Sequence, residues 1–214
     1  MYTLYSHRNS YAMTAQVMLE ELGLAYETVV FNVHVESERP AAFLKANPNG
    51  RVPTLITPDG PIYESAAILV YLAERHGGDR FVPAVGDPRR RLFWQWQFYL
   101  MSTLQPEVLI QFHPERYFPS DETSRDKLLR ASTEWLEQIW RVLDDGLADG
   151  PHFLGDLYTT CDISFAMQAL WRENQPSDLA SYPNAARNLR TVLARPAVQT
   201  VLKIHTVEHL ADGL

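Results

Sequence analysis

Two short stretches carry residue types suited to holding a small peptide by its backbone and its carboxylate. They are Asn49-Gly50-Arg51-Val52-Pro53-Thr54-Leu55 and, soon after, Tyr63-Glu64-Ser65-Ala66-Ala67-Ile68. Proline has no N–H for a β-ladder, so Pro53 belongs where a loop runs into the apolar strand that follows. A cis Val52-Pro53 bond there would turn the Val52 N–H and C=O outward, where an extended peptide can pair with them as an added strand does. Only about 5–6% of X-Pro bonds are cis, so spacing alone fits an ordinary trans proline at a strand start better. Ser65 falls near a helix start. Asp59-Gly60 signals a hairpin turn, Ile62-Tyr63 is apolar, and Ala66 to Arg75 carries a helical apolar face. Exposed N–H groups and the positive end of the helix dipole attract a carboxylate to such a position. The alternative is a plain N-cap, a role serine often fills.

The run Asn47-Pro48-Asn49-Gly50-Arg51-Val52-Pro53-Thr54-Leu55, followed by Glu64-Ser65-Ala66-Ala67-Ile68-Leu69-Val70-Tyr71-Leu72, closely resembles the glutathione-binding half of the cytosolic glutathione transferases. The likeness covers essentially the whole chain, since its 214 residues and the order of a mixed first third followed by helices also match. The resemblance implies an α/β N-terminal thioredoxin-like domain followed by an all-α helical bundle domain. It implies that Val52, ahead of a cis Pro53, pairs with the cysteinyl backbone of glutathione, and that Glu64 and Ser65 hold the γ-glutamyl carboxylate. Arg51 matches a position from which a side chain can reach the glycyl carboxylate. Glutathione is then a co-substrate, with no permanently bound cofactor. A small hydrophobic electrophile, a homodimer, a cytoplasmic location and a role in detoxification are implied with it. One departure stands out: many family members bring an acidic residue from the partner's first bundle helix to the glutathione amine, yet Leu92 to Leu104 contains none. Either Glu107 serves, or the amine is held differently.

A transferase of this kind must favour the thiolate of glutathione, and each unit of pKa lowering takes about 1.4 kcal/mol of differential interaction. One or two hydrogen bonds to a charged sulfur, about 1.5–3 kcal/mol each, together with a helix N-terminus, are enough. The donors must come from Tyr5-Ser6-His7-Arg8-Asn9-Ser10-Tyr11. Ser10 is the favoured candidate because it combines a hydroxyl with the helix end. Asn9, through its amide, is second and Tyr5, at the end of the first strand, third; Tyr11 is a fourth. Each has a plainer reading: N-cap for Ser10, turn residue for Asn9, core aromatic for Tyr5. The segment holds no cysteine, which argues against a glutaredoxin-like attack by a protein thiolate. Conjugation and glutathione-assisted isomerisation need none. The leading expectation is therefore a glutathione transferase that presents the thiolate to a hydrophobic electrophile. The alternatives are a non-catalytic interaction module of the same fold and a glutathione-dependent disulfide reductase.

These residues need a scaffold, and its elements are legible. Tyr2 to Tyr5 reads as a strand, Tyr11 to Leu22 as a helix stopped at Gly23, and Tyr26 to Asn32 as a second strand. A short helix around Ala41 to Ala46, the hairpin Thr54 to Tyr63 and a helix to Arg75 complete a βαβ then ββα order. The expected domains are 1–77 for glutathione binding, 78–87 as a Gly- and Pro-rich linker and 88–214 as the helical domain. Asp87 can cap a helix with Pro88 at its first position. The helix that follows carries Trp94, Trp96, Phe98, Tyr99, Met101 and Leu104, too many apolar side chains for one buried stripe, so some must face a cleft or a partner. An amphipathic helix runs from near Ser124 to Leu147, and Cys161 to Glu173 reads as a buried central helix. Thr159 and Asp162 have the spacing of a capping box at its start. Phe112 to Phe118 breaks the helical domain near where this family places its second-substrate pocket.

Composition narrows the classes. A formal net charge of −7 gives no reason to expect nucleic-acid binding through a general basic surface. No apolar run approaches the roughly 18 residues of a membrane span, and Met1-Tyr2-Thr3 leads into a strand and not a signal sequence. The single cysteine, Cys161, excludes an intrachain disulfide framework and reads as a buried small hydrophobe. The seven histidines, His7, His34, His76, His113, His152, His205 and His209, form no metal pattern. His205 and His209 have the spacing of neighbours on one helix face, without the glutamate that marks a metalloprotease motif.

Overall fold

The computed structural model describes residues 1–171 and 179–211. Among the described residues the chain folds as two compact units: Met1–Val85 together with 193–211, and Gly86–Val192.

The first unit is built on a four-stranded sheet of β1 (Tyr2–Ser6), β2 (Tyr26–Val30), β3 (Thr54–Thr57) and β4 (Gly60–Tyr63), in the order β2-β1-β3-β4. β1 runs parallel to β2 and antiparallel to β3, and β3 antiparallel to β4. A parallel pair needs a crossover, which α1 (Ala12–Glu21) supplies. Gly23, at φ +62°, ends that helix: its N–H donates to the Glu20 carbonyl at 3.1 Å, and the Leu24 N–H to the Leu19 carbonyl at 3.0 Å. This is the paired closure that favours glycine in the left-handed region. α2 (Ala41–Ala46) lies between β2 and β3, and α3 (Ser65–Leu72) continues through a π-helical turn at Ala73–Gly77. The four-stranded mixed sheet with its helices is thioredoxin-like, as the residue order predicts.

Every residue of α1 from Ala12 to Leu19 is buried, so the helix must be covered on more than its sheet side. The last helix, α9 (Pro196–His205), provides that cover, turning Val198, Val201, Leu202 and His205 inward. Arg195 and Glu21 fasten the two together through a pair of hydrogen bonds at 2.5 and 2.8 Å. This helix, expected with the 88–214 domain, thus belongs to the first unit. Thr206, at φ +57°, stops α9, so His209 lies in a separate 3₁₀ turn at Glu208–Ala211 and shares no helix face with His205.

The second unit is helical. It contains α4 (Arg90–Tyr99), a π-helical stretch Leu100–Leu104, α5 (Gln105–Phe112), α6 (Glu122–Gly146), α7 (Thr160–Ala169) and α8 (Pro183–Leu193). Asp87 punctuates the start of α4, but the helix opens at Arg90, whose N–H donates to the Asp87 carbonyl at 2.9 Å. Of the crowded side chains that follow, Trp96 and Leu104 are buried while Phe98 is 63% exposed, so one helix face does look outward. Trp96 packs so closely on Gly146 that a Cβ there would lie 2.3 Å from its ring.

α7 is buried along its whole length, as expected of a central helix; the far end of the predicted run, Glu173, lies outside the described residues. Its capping box is formed. Asp162 accepts the Thr159 N–H at 2.8 Å, and the Thr159 hydroxyl accepts from the Cys161 N–H at 3.3 Å. Asp162 also accepts from the Phe153 N–H at 3.2 Å and the Asn188 amide at 2.7 Å. Cys161 is fully buried, and burial pushes its thiol well above the usual range, so it is no nucleophile. His113 breaks the helix after Phe112, leaving Phe112, Tyr117 and Phe118 exposed.

Candidate functional site

Strand register gathers the singled-out segments at one end of the sheet. Tyr5 of β1 sits opposite Thr54 of β3, which sits opposite Tyr63 of β4. Ser6 to Ser10 leave β1 at that end, Val52 and Pro53 lead into β3 there, and Glu64 and Ser65 follow β4 there. Segments as far apart in sequence as Ser6 and Ser65 become neighbours because an antiparallel ladder puts the end of one strand beside the start of the next.

The Val52-Pro53 bond is cis. The chain before it is pinned by a buried side chain that spacing did not single out: Asn47, whose amide donates to the Arg51 carbonyl at 2.9 Å and to the Thr54 hydroxyl at 3.0 Å. That hydroxyl donates to the same Arg51 carbonyl at 3.1 Å. With Asn47 Oδ1 also accepting the Asn49 N–H at 3.1 Å, the Asn47-Pro48-Asn49-Gly50 turn is held from inside. Arg51 itself is exposed, and Val52 lies just outside the ladder.

Glu64 occupies the cap position of α3 with φ +72° and ψ 113°, a sparsely populated region for a residue bearing a Cβ. Such a conformation persists only where surrounding structure imposes it, and such positions cluster at ligand clamps. Glu64 is exposed, whereas Ser65 is 7% exposed and begins the helix. Ser65 is therefore the first residue of α3, one position past the N-cap. The arrangement offers an anion the Ser65 hydroxyl and the N–H groups of a helix start.

The loop after β1 is organised as tightly. Asn9 stands in the left-handed region at φ +49°, which asparagine tolerates better than most residues. Ser10 precedes α1; its hydroxyl donates to the His7 carbonyl at 2.7 Å and accepts from the Ala12 N–H at 3.3 Å. It thus caps the helix in effect, with its proton turned to a backbone oxygen. His7 in turn bonds the Phe31 carbonyl at 3.0 Å through Nδ1. Tyr5 is buried, its ring packed against Phe31 and Phe43 with centroids 6.4 and 5.4 Å away. Tyr11 is half-buried at the cap position of α1.

Spacing paired His205 with His209 and not with the loop after β1. Its Nδ1 accepts the Asn9 N–H at 3.1 Å, across 196 residues of sequence, which no local pattern can signal. Burial lowers its pKa below the ordinary imidazole range, and the charges of Arg8 and His7 lower it further. Among the described residues no group of three His, Cys, Asp or Glu side chains is placed to hold a metal, and no helix is long and apolar enough to cross a membrane.

Comparison with known proteins agrees with this fold. The family model for the glutathione S-transferase N-terminal domain matches residues 1–74. Glutathione S-transferase 2 of Schizosaccharomyces pombe is 31% identical across 99% of this chain and 97% of its own. Glutathione S-transferase F9 of Arabidopsis thaliana is 31% identical over 70% of this chain and 71% of its own. A sphingomonad glutathione S-transferase, solved with glutathione bound, superposes with a TM-score of 0.81 at 26% identity, covering 96% of this chain and 99% of that one.

Proposed function

This chain belongs to the glutathione S-transferase family, a family of enzymes, and we propose that it binds glutathione at the sheet end described above and activates its thiol for attack on a small hydrophobic electrophile. The observation that carries the reading is the Tyr5–Thr54–Tyr63 register, which gathers the cis Val52-Pro53 bond, the Glu64-Ser65 helix start and the Asn9-Ser10 turn. In this reading Val52 pairs with the cysteinyl backbone through its N–H and C=O. Ser65, Glu64 and the start of α3 hold the γ-glutamyl end, and Arg51 reaches the glycyl carboxylate. The proposed division of labour is 1–77 for glutathione, 78–87 as linker and 88–214 for the helices, of which α9 returns to pack on the first unit.

The thiolate is assigned to the Ser10 hydroxyl first and the Asn9 amide second. Turning the Ser10 proton from the His7 carbonyl to a charged sulfur exchanges a neutral hydrogen bond for a charge-assisted one, which is roughly twice as strong. Tyr5 is the weakest of the three because its ring is locked between Phe31 and Phe43. A small hydrophobic electrophile and a homodimer belong to this reading, and the exposed Phe98 supports an apolar helix face available to a partner. A cytoplasmic role in detoxification completes the proposal.

Titration of the purified protein with reduced glutathione by calorimetry tests it. Saturable binding, followed by conjugation of a hydrophobic electrophile, is expected. No binding at millimolar ligand overturns the proposal in favour of a non-catalytic interaction module, and turnover of small disulfides without conjugation favours a reductase.

A further inference from the structure

A single line of hydrogen bonds joins the turn that carries Asn9 and Ser10 to the far side of α1, and its polarity can be read from one end. Tyr26 donates its phenolic proton to Glu20 at 2.5 Å, and burial with this bond pushes its pKa up to about 12, so the proton stays. With its O–H committed to Glu20, the Tyr26 oxygen accepts from the Gln16 amide nitrogen at 3.0 Å. The Gln16 amide is thereby oriented, and its oxygen faces His205 Nε2 at 2.8 Å. Nε2 must then carry the ring proton. Nδ1 is left as a bare acceptor, which is what the Asn9 N–H at 3.1 Å requires.

We propose that His205 is a positioning residue for thiol activation: its neutral, Nε2-protonated ring holds the Asn9 backbone in the left-handed turn that presents the Asn9 amide and the Ser10 hydroxyl at the start of α1. The inference rests on the reading that these two residues meet the glutathione thiolate. Four features support it. His205 is buried at the end of α9, with only 5% of its surface exposed. Its partner Asn9 is one of the few residues bearing a Cβ at positive φ, a conformation that needs an external anchor. The anchor comes from the opposite end of the chain and so is not part of the turn's own hydrogen bonding. Finally, the surroundings keep the ring neutral: Arg8 and His7 from the loop oppose protonation, α1 faces the ring with uncharged Gln16, and Glu208 and His209 of the following turn are exposed. A protonated ring would have no acceptor for Asn9.

Two substitutions divide the two bonds. His205→Asn keeps an acceptor near the position of Nδ1 but cannot reach Gln16, while His205→Gln reaches Gln16 and leaves the Asn9 N–H unmatched. The readout is the pKa of the bound glutathione thiol, followed by thiolate absorbance, with the affinity for S-methylglutathione measured in parallel because that ligand has no thiol to activate. His205→Gln is expected to raise the bound thiol pKa by about one unit, a tenfold loss of thiolate at fixed pH, with unchanged S-methylglutathione affinity. His205→Asn is expected to keep the wild-type value. Equal shifts in both variants, or none in either, overturn the positioning role. Wild-type protein that does not lower the thiol pKa overturns the thiolate reading, and this inference with it. A substitution-free check is the nitrogen NMR spectrum of the His205 ring near neutral pH: an Nε2–H tautomer is expected, and an Nδ1–H tautomer or an imidazolium overturns the proposal.

Discussion

The turn after β1 and the start of α7 are both helix starts in this molecule, yet they are built oppositely. At α7 the acidic side chain is fully buried and its oxygens accept from Thr159, Phe153 and Asn188. At α1 the residues ahead of the helix are exposed or half-buried, Asn9 is at positive φ, and the Ser10 hydroxyl holds a neutral partner that an anion can displace. Saturated burial marks residues that hold the fold. In the proposed reading, partial exposure, an unusual backbone and a replaceable hydrogen bond belong to residues that meet glutathione.

Substitutions can break or sharpen that contrast. The largest effect is expected from Asp162→Ala, which strands buried backbone and amide donors and should cost about 3–5 kcal/mol in urea unfolding. Normal folding with lost glutathione binding would instead place Asp162 with the ligand residues. Next, Ser10→Ala should raise the pKa of bound glutathione by about one to two units while changing stability by only about 1 kcal/mol, the worth of a cap. An unmoved titration transfers the role to Asn9. Ser65→Ala should weaken glutathione about tenfold by calorimetry through loss of one hydrogen bond to a carboxylate, and unchanged affinity removes Ser65 from the site.

His205 supplies a test by pH. Its folded pKa is depressed, so its contribution to stability is complete above the unfolded value of 6.5 and is lost as pH falls and the unfolded chain takes up the proton first. The difference between wild type and His205→Asn in urea midpoint should therefore shrink between about pH 7.5 and about pH 5.5. A constant difference contradicts the neutral buried ring. The smallest effect is expected from Tyr5→Phe, which keeps the packing on Phe31 and Phe43; turnover should stay within about twofold, or roughly 0.4 kcal/mol. A large loss makes Tyr5 the thiolate donor and reverses its place behind Ser10.

Much of this was legible in the residues. Gly23, Asp59-Gly60, Thr159 and Asp162 are local signals whose turn and cap chemistry acts within a few residues, and each appears where its type predicts. Val52-Pro53 and Glu64-Ser65 were likewise visible as short motifs. Less visible were the partners that complete them. Asn47 looks like one more polar residue in a loop until its amide is found bridging Arg51 and Thr54. His205 invited comparison with His209, because a spacing of four suggests one helix face, but the left-handed Thr206 ends the helix between them.

The sequence by itself determined the strands and helices of residues 2–75, the long amphipathic helix, the central helix and the residue types suited to a peptide and a thiolate, because capping, turn geometry and hydrophobic periodicity act over distances of a few residues. Only the tertiary structure decided that α9 covers α1, that three loops meet at one end of the sheet, and that a histidine 196 residues away anchors the Asn9 turn. Those outcomes depend on strand register and on which buried surfaces find each other, and neither is written in any local stretch of the chain.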